Sequence, residues 1–183
     1  MNRKDKTAGG LCRMAAATAA VLAAGLSGIA AAATSQTIGT GTMEYAEAVG
    51  GPATLLMRTL TIAPGEVLGW HHHPGIGAYT VVVSGTLLIE DGCGTEAVYQ
   101  QGDAFLEPPG RVHRGKNPTG ANVVTAQTFL VPLGTPSSVA HPERKCGVPL
   151  RTEECKNDGW LMFDLPRNFL SQGDCMGFVL TGN

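Results

Sequence analysis

The sequence predicts an all-β fold of the jelly-roll or sandwich type, and two observations lead there. Between residues 53 and 132, short β-rich runs follow one another with turn dipeptides between them. No window in that stretch carries the 3.6-residue periodicity of an amphipathic helix.

The runs are 54–62, 66–73, 78–83, 86–90, 96–100, 104–107, 112–116 and 122–131. Pro64-Gly65, Pro74-Gly75, Ser84-Gly85, Asp91-Gly92, Gln101-Gly102 and Pro109-Gly110 separate them, each pairing a residue that favours a turn with a glycine free to adopt φ > 0. Short strands joined in this way close into a barrel or pack as two sheets.

The flanks differ from this core. Residues 1–33 begin with Arg3, Lys4, Lys6 and Arg13, continue through a small, apolar run and end in Ala31-Ala32-Ala33, the pattern of a secretory signal peptide. An uncleaved anchor is the alternative, since about 18 apolar residues can just span a bilayer. Removing four of the 13 basic and one of the 15 acidic residues leaves 9 against 14, a formal charge of −5. Neither nucleic acid nor an acidic membrane surface is therefore an expected partner, and cleavage would leave no stable membrane association. Residues 34–52 read as a loose leader rich in Thr, Ser and Gly. Residues 133–183 read as an extension packed on the barrel, too long for a simple loop. The mature chain keeps Cys93, Cys146, Cys155 and Cys175, an even number without a C-x-x-C pair, which points to two disulfides and a periplasmic or secreted protein. Cys93 follows the Asp91-Gly92 hairpin signal, so one bridge is expected to tie that hairpin to the extension; pairing of Cys146 with Cys155 and of Cys93 with Cys175 stays open beside it.

The chemistry is concentrated in two segments. In the first, running from Gly65 to Gly85, His71 and His73 alternate around His72, so a strand turns the two onto one face and His72 onto the other. In the second, running from Gly102 to Asn117, a Pro- and Gly-rich turn precedes His113. Gly65, His71, His73 and Gly85 are spaced as in the first signature motif of the cupin superfamily; Gly102, Pro108, Gly110, His113 and Asn117 match the second without a gap. The resemblance covers residues 53–132. It implies a cupin jelly-roll β-barrel carrying the disulfide-tied extension, and a divalent metal ion (Fe, Zn, Mn, Ni or Cu) on His71, His73 and His113.

One position departs from the motif: Ala78 stands where the family places a metal-binding glutamate. The expected site is thus carboxylate-free and strongly electropositive, with its ion favouring hydroxide or an anionic ligand. Glu107, the acid nearest the second motif, reads as a capping or solvent-facing residue. Tyr79, Arg111 and Gln127 are the candidate cavity residues, and His141 reads as solvated. The function expected is that of an exported metal-binding cupin, an iron-type, dioxygenase-like enzyme acting on a small organic substrate. A non-catalytic periplasmic barrel binding a small molecule or metal is the alternative, and a barrel whose histidines are relics is a third. The resemblance also raises a homodimer through sheet edges, unless the extension covers that edge.

Overall fold

The computed structural model describes residues 32–183, so the expectation of a signal peptide over residues 1–33 falls outside them for all but its last two positions. Two five-stranded antiparallel sheets form the barrel. The first has the order β1 (Thr34–Ala46), β2 (Gly51–Ile62), β9 (Val123–Pro132), β4 (Ala78–Ser84), β7 (Ala104–Glu107). The second has the order β10 (Val139–Ala140), β3 (His71–His72), β8 (His113–Lys116), β5 (Thr86–Asp91), β6 (Glu96–Gln100). Strands adjacent in space but distant in sequence, such as β2 with β9 and β5 with β8, give the jelly-roll winding expected from the turn pattern.

Period-2 alternation decides what fills the barrel. Along β9 every second residue is buried: Val123, Thr125, Gln127, Phe129 and Val131. Along β4 the buried set is Ala78, Thr80 and Val82. The interior is apolar at one end, where Ile62, Val82, Leu87 and Val123 pack together, and again where Ala78, Phe129 and Val131 meet. Between them Thr80, Thr125 and Gln127 form a polar waist, which a folded core keeps only when hydrogen bonds or a ligand answer it.

Two expectations are corrected here. Residues 34–46 are not a loose leader but a 13-residue strand hydrogen-bonded along β2; backbone pairing orders a segment whose side chains are almost all exposed. The run 66–73 is a regular strand only at His71–His72; upstream, Leu68 and Asn117 bond Gly115 and Glu66 without forming a continuous ladder. The extension contains helix α1 (Gln172–Thr181), started by the Ser171 side chain accepting the Asp174 N–H at 3.1 Å and stopped by Gly182 in the left-handed region.

The disulfides are Cys93–Cys146, which joins the β5–β6 hairpin to the extension as expected, and Cys155–Cys175, which joins a 3-10 turn to α1. The local pairing of Cys146 with Cys155 is overturned. Cys146, Cys155, Cys175, Phe163 and Phe169 form a core of their own, so the extension carries apolar packing as well as bridges. Close approach at the hairpin requires glycine: a Cβ at Gly92 would collide with the Lys145 carbonyl. Two disulfides fit an oxidising compartment. No helix among the described residues is long and apolar enough to cross a membrane.

Candidate metal centre

His71 and His113 are register partners across β3 and β8, with ring centroids 4.5 Å apart. His73 follows β3, where Gly110 donates its N–H to the His73 carbonyl at 2.9 Å, so the Pro-Pro-Gly turn of the second segment fixes the last histidine of the first. All three imidazoles are oriented alike. Nδ1 lies 2.9 Å from the Gly69 carbonyl in His71, 2.7 Å from the Ser137 carbonyl in His73 and 2.9 Å from the Arg111 carbonyl in His113. A carbonyl only accepts, so each Nδ1 carries a proton and each ring turns its Nε2 to the centre, where it can offer a lone pair once no proton sits there. Fixing the tautomer through the distal nitrogen is how proteins orient metal-binding histidines.

The fourth member is Glu107. It is 5 % exposed, and its Oε2 lies 2.8 Å from His73 Nε2 and 2.9 Å from His113 Nε2. Its Oε1 accepts from the Thr80 hydroxyl at 2.7 Å and from the Gln127 amide at 3.3 Å. One donor atom from each of His71, His73, Glu107 and His113 falls within 4.8 Å of the others. Two expectations therefore fail: Glu107 neither caps nor faces solvent, and the site is not carboxylate-free. Register supplies the reason. Ala78 on β4 pairs directly with Glu107 on β7. The acid missing from one strand is supplied by its cross-strand neighbour, and alanine at 0 % exposure leaves the room for it to reach the histidines.

The electrostatics follow. Burial works to raise the Glu107 carboxyl, but hydrogen bonds from His113 and His73 outweigh it and hold the group well below the usual carboxylate range. The His113 imidazole is raised despite burial because Glu107 faces it. His71 is pushed down to about 4, first by burial and then by the neighbouring His113. The group thus holds its negative charge on Glu107 and keeps His71 neutral at physiological pH. Three imidazoles with fixed tautomers and one ionised carboxylate suit Fe, Mn, Zn, Ni or Cu.

A cavity of ≈ 360 Å³ opens on His71, Glu107 and His113, walled by Leu60, Ile62, Leu68, Trp70, Leu87 and Ile89. Of the candidate cavity residues, Gln127 lines it. Tyr79 does not: β4 alternation turns it outward at 55 % exposure. Arg111 lies on the far side, in a second cavity of ≈ 360 Å³ between barrel and extension that also reaches Glu107 and His113. Its guanidinium is engaged with the Glu154 carboxylate at 2.9 and 3.2 Å and with the Val148 carbonyl at 3.2 Å, so it clamps the extension to the barrel. His72 lies on the opposite side of β3, its ring edge-on to His141 at 6.5 Å. His141 is not solvated; its side chain is 8 % exposed and lies 3.0 Å from Asp164, within the extension.

Sequence reading missed Thr125, Trp70 and Arg58 in the cavity wall and Thr80 as a partner of Glu107, and it misjudged Glu107. The signals were present. Phe105 and Glu107 share a strand face, and Phe105 packs into the barrel core. Leu56, Arg58, Leu60 and Ile62 alternate along β2, so a lone charge falls on an apolar inward face.

The family comparison agrees with this architecture. Residues 58–131 match the family model described as "Cupin domain". No curated protein matches the sequence. Among solved structures, an uncharacterised protein with a double-stranded β-helix domain from Klebsiella pneumoniae is similar at 16 % identity and TM-score 0.45, covering 61 % of this chain and 86 % of that one. A cupin domain from Bordetella pertussis is similar at 20 % and TM-score 0.41, covering 54 % and 93 %. A variant of the Bacillus subtilis oxalate decarboxylase is similar at 21 % and TM-score 0.42 over 47 % of this chain, which spans only 23 % of that enzyme. With the two motifs, the jelly-roll winding and the family match converging on one stretch, residues 58–131 of this chain form a cupin domain.

Proposed function

We propose that this chain is an exported mononuclear metal-dependent enzyme, with dioxygenase-type chemistry on a small organic substrate. One observation carries the reading: three histidines whose Nδ1 atoms are all tied to carbonyls aim their Nε2 atoms at one point beside a buried carboxylate, and a cavity opens on that point. A structural metal would be closed off by its ligands, whereas an open side leaves room for a substrate. His71, His73, Glu107 and His113 would hold the ion, which supplies a Lewis acid and, if iron, a partner for dioxygen.

The chain's own residues do the rest. Glu107 offsets one unit of the ion's charge, and Thr80 and Gln127 hold its second oxygen so that Oε2 faces the histidines. The apolar wall excludes water and strengthens every polar interaction inside it. The two disulfides support export to the periplasm or beyond.

One observation favours a second reading. Glu107 pairs with His73 and His113 directly, so these two histidines are partnered without an ion, as in a non-catalytic small-molecule binder. Elemental analysis of protein purified from its native compartment separates the two, combined with oxygen uptake on a panel of phenols, diketones and thiols. Near-stoichiometric metal with uptake on one substrate class supports the enzyme. Metal well below one per chain, in wild type and His113→Ala alike, overturns it.

A further inference from the structure

Arg58 is a charge in the barrel interior that the metal group does not use. It sits on β2 between Leu56, which packs against Phe129, and Leu60, which packs in the opposite apolar cluster. Its Nε–H donates to Gln127 Oε1 at 2.9 Å, and its guanidinium lies over the Phe129 ring, 4.7 Å from the centroid. Among the described residues, no carboxylate forms an ion pair with Arg58 and no acceptor takes its Nη donors. A guanidinium has five N–H donors in a flat fork, and withdrawing it from water with one neutral acceptor is unfavourable unless an anion completes it. The side chain lines the same cavity as His71, Glu107 and His113.

We propose that this cavity binds a small organic monocarboxylate, its two oxygens taken by the Nη edge of Arg58 and its apolar body lying along Leu60, Ile62, Leu68 and Trp70. Fork geometry matches a carboxylate with two parallel hydrogen bonds. Arg58 is the one Lys or Arg among the residues lining this cavity, which favours one acid group over two. The wall is apolar, and ≈ 360 Å³ is roomy enough for a body well beyond two carbons. Gln127 joins the anchor to the metal group, because it accepts from Arg58 and donates to Glu107 Oε1 at 3.3 Å. The inference deepens the proposed function and rests on it for the far end of the ligand; the anchor itself needs no ion.

The test measures binding rather than turnover. Benzoate and hexanoate, with benzamide and hexanamide as uncharged counterparts, are titrated against metal-loaded and metal-free protein. The readout is tryptophan fluorescence, with Trp70 in the cavity wall. In wild type the acids are expected to bind in both forms and better than the amides. Arg58→Met should weaken acid binding about 10- to 100-fold, the range for losing a charge-assisted pair, with metal content unchanged. Arg58→Lys should recover part of the loss. The amides should bind alike to all three proteins. The proposal is overturned if acids and amides bind wild type equally, if no acid binds at millimolar concentration, or if Arg58→Met leaves acid affinity intact. The acid–amide comparison on wild type stands even if a variant misfolds. Arg58-dependent acid binding by a protein that takes up no metal keeps the anchor while the metal reading fails; stoichiometric metal uptake with acid binding indifferent to Arg58 does the reverse.

Discussion

Replacing Glu107 tests the centre of the reading, because the carboxylate is where sequence and structure part company. Glu107→Gln keeps the size and one acceptor oxygen but removes the charge. The four donor atoms lie within 4.8 Å of one another, so an ion seated among them is no farther than that from Oε2. Unit charges about 4 Å apart in an environment of effective dielectric about 20 interact by about 4 kcal/mol, which for a divalent ion is a floor and corresponds to at least roughly a thousandfold in affinity. Chelator-stripped wild type and Glu107→Gln, each titrated calorimetrically with Mn²⁺ and Zn²⁺, should differ by at least that factor. Glu107→Ala should bind as weakly. Adding Ala78→Glu to it restores an acid from the facing register position, with Cβ atoms about 5 Å apart across the pair. That double variant should regain at least about tenfold of the lost affinity, equivalent to about 1.4 kcal/mol. A Glu107→Gln protein that melts normally and binds metal within threefold of wild type would falsify the assignment of Glu107 as a ligand. A double variant no better than Glu107→Ala would refute the idea that the acid has moved across the β4–β7 pair.

Other outcomes follow from the same contacts. His113 is raised above 6.5 by Glu107, so metal has to displace its proton, and affinity should fall as pH drops through neutrality while His71, at about 4, adds nothing above pH ~5. Calorimetry in buffers of differing ionisation enthalpy should register about one proton released per ion, and a buffer-independent heat would contradict this. Arg111→Met removes the clamp on Glu154 and should cost about 3 kcal/mol in denaturant unfolding, because Glu154 is left partly buried with only the exposed Arg151, at 3.6 Å, as its cation. A loss below about 0.5 kcal/mol, the level of a surface substitution, would show the clamp to be idle. Removing Cys155–Cys175, with a sequence separation of 20, should cost about 3 kcal/mol, and removing Cys93–Cys146, with a separation of 53, about 4. Metal content should survive the first loss, since that bridge lies wholly within the extension; its disappearance would tie the extension to the site more closely than the contacts imply.

The fold was legible because turn chemistry and strand length act locally. Gly-containing dipeptides bounded the runs, and six of the eight both began and ended within a residue of the strands found. What escaped were features fixed by pairing rather than by local pattern. Residues 34–46 have few apolar side chains to signal a buried face, yet β2 supplies backbone partners along their length. Helix α1 is short and only weakly amphipathic, and its placement owes more to Cys155–Cys175 and the Phe169–Phe178 contact, with centroids 5.4 Å apart, than to periodicity.

The histidines and the carboxylate show the same division in the site itself. His71 and His73 could be placed on one face by alternation alone, and His113 by its motif spacing. Whether a carboxylate joins them depends on which residue of β7 stands opposite position 78, a long-range register that no local window contains. A motif counts positions along one strand, while an ion senses only the charge within a few ångströms. Glutamate at 78 and glutamate at 107 are therefore different sequences but similar electrostatic solutions, provided the other position is small. Ala78 with Glu107 meets that condition, and Thr80 and Gln127 hold the displaced carboxylate in place. If substitution across a register pair is what preserved the charge, then a large side chain at 78 in the presence of Glu107 should be as damaging as loss of the acid. Ala78→Leu, which leaves every donor intact, should on this argument lower metal affinity by displacing Glu107, and affinity equal to wild type would show that the space at 78 is not what admits it.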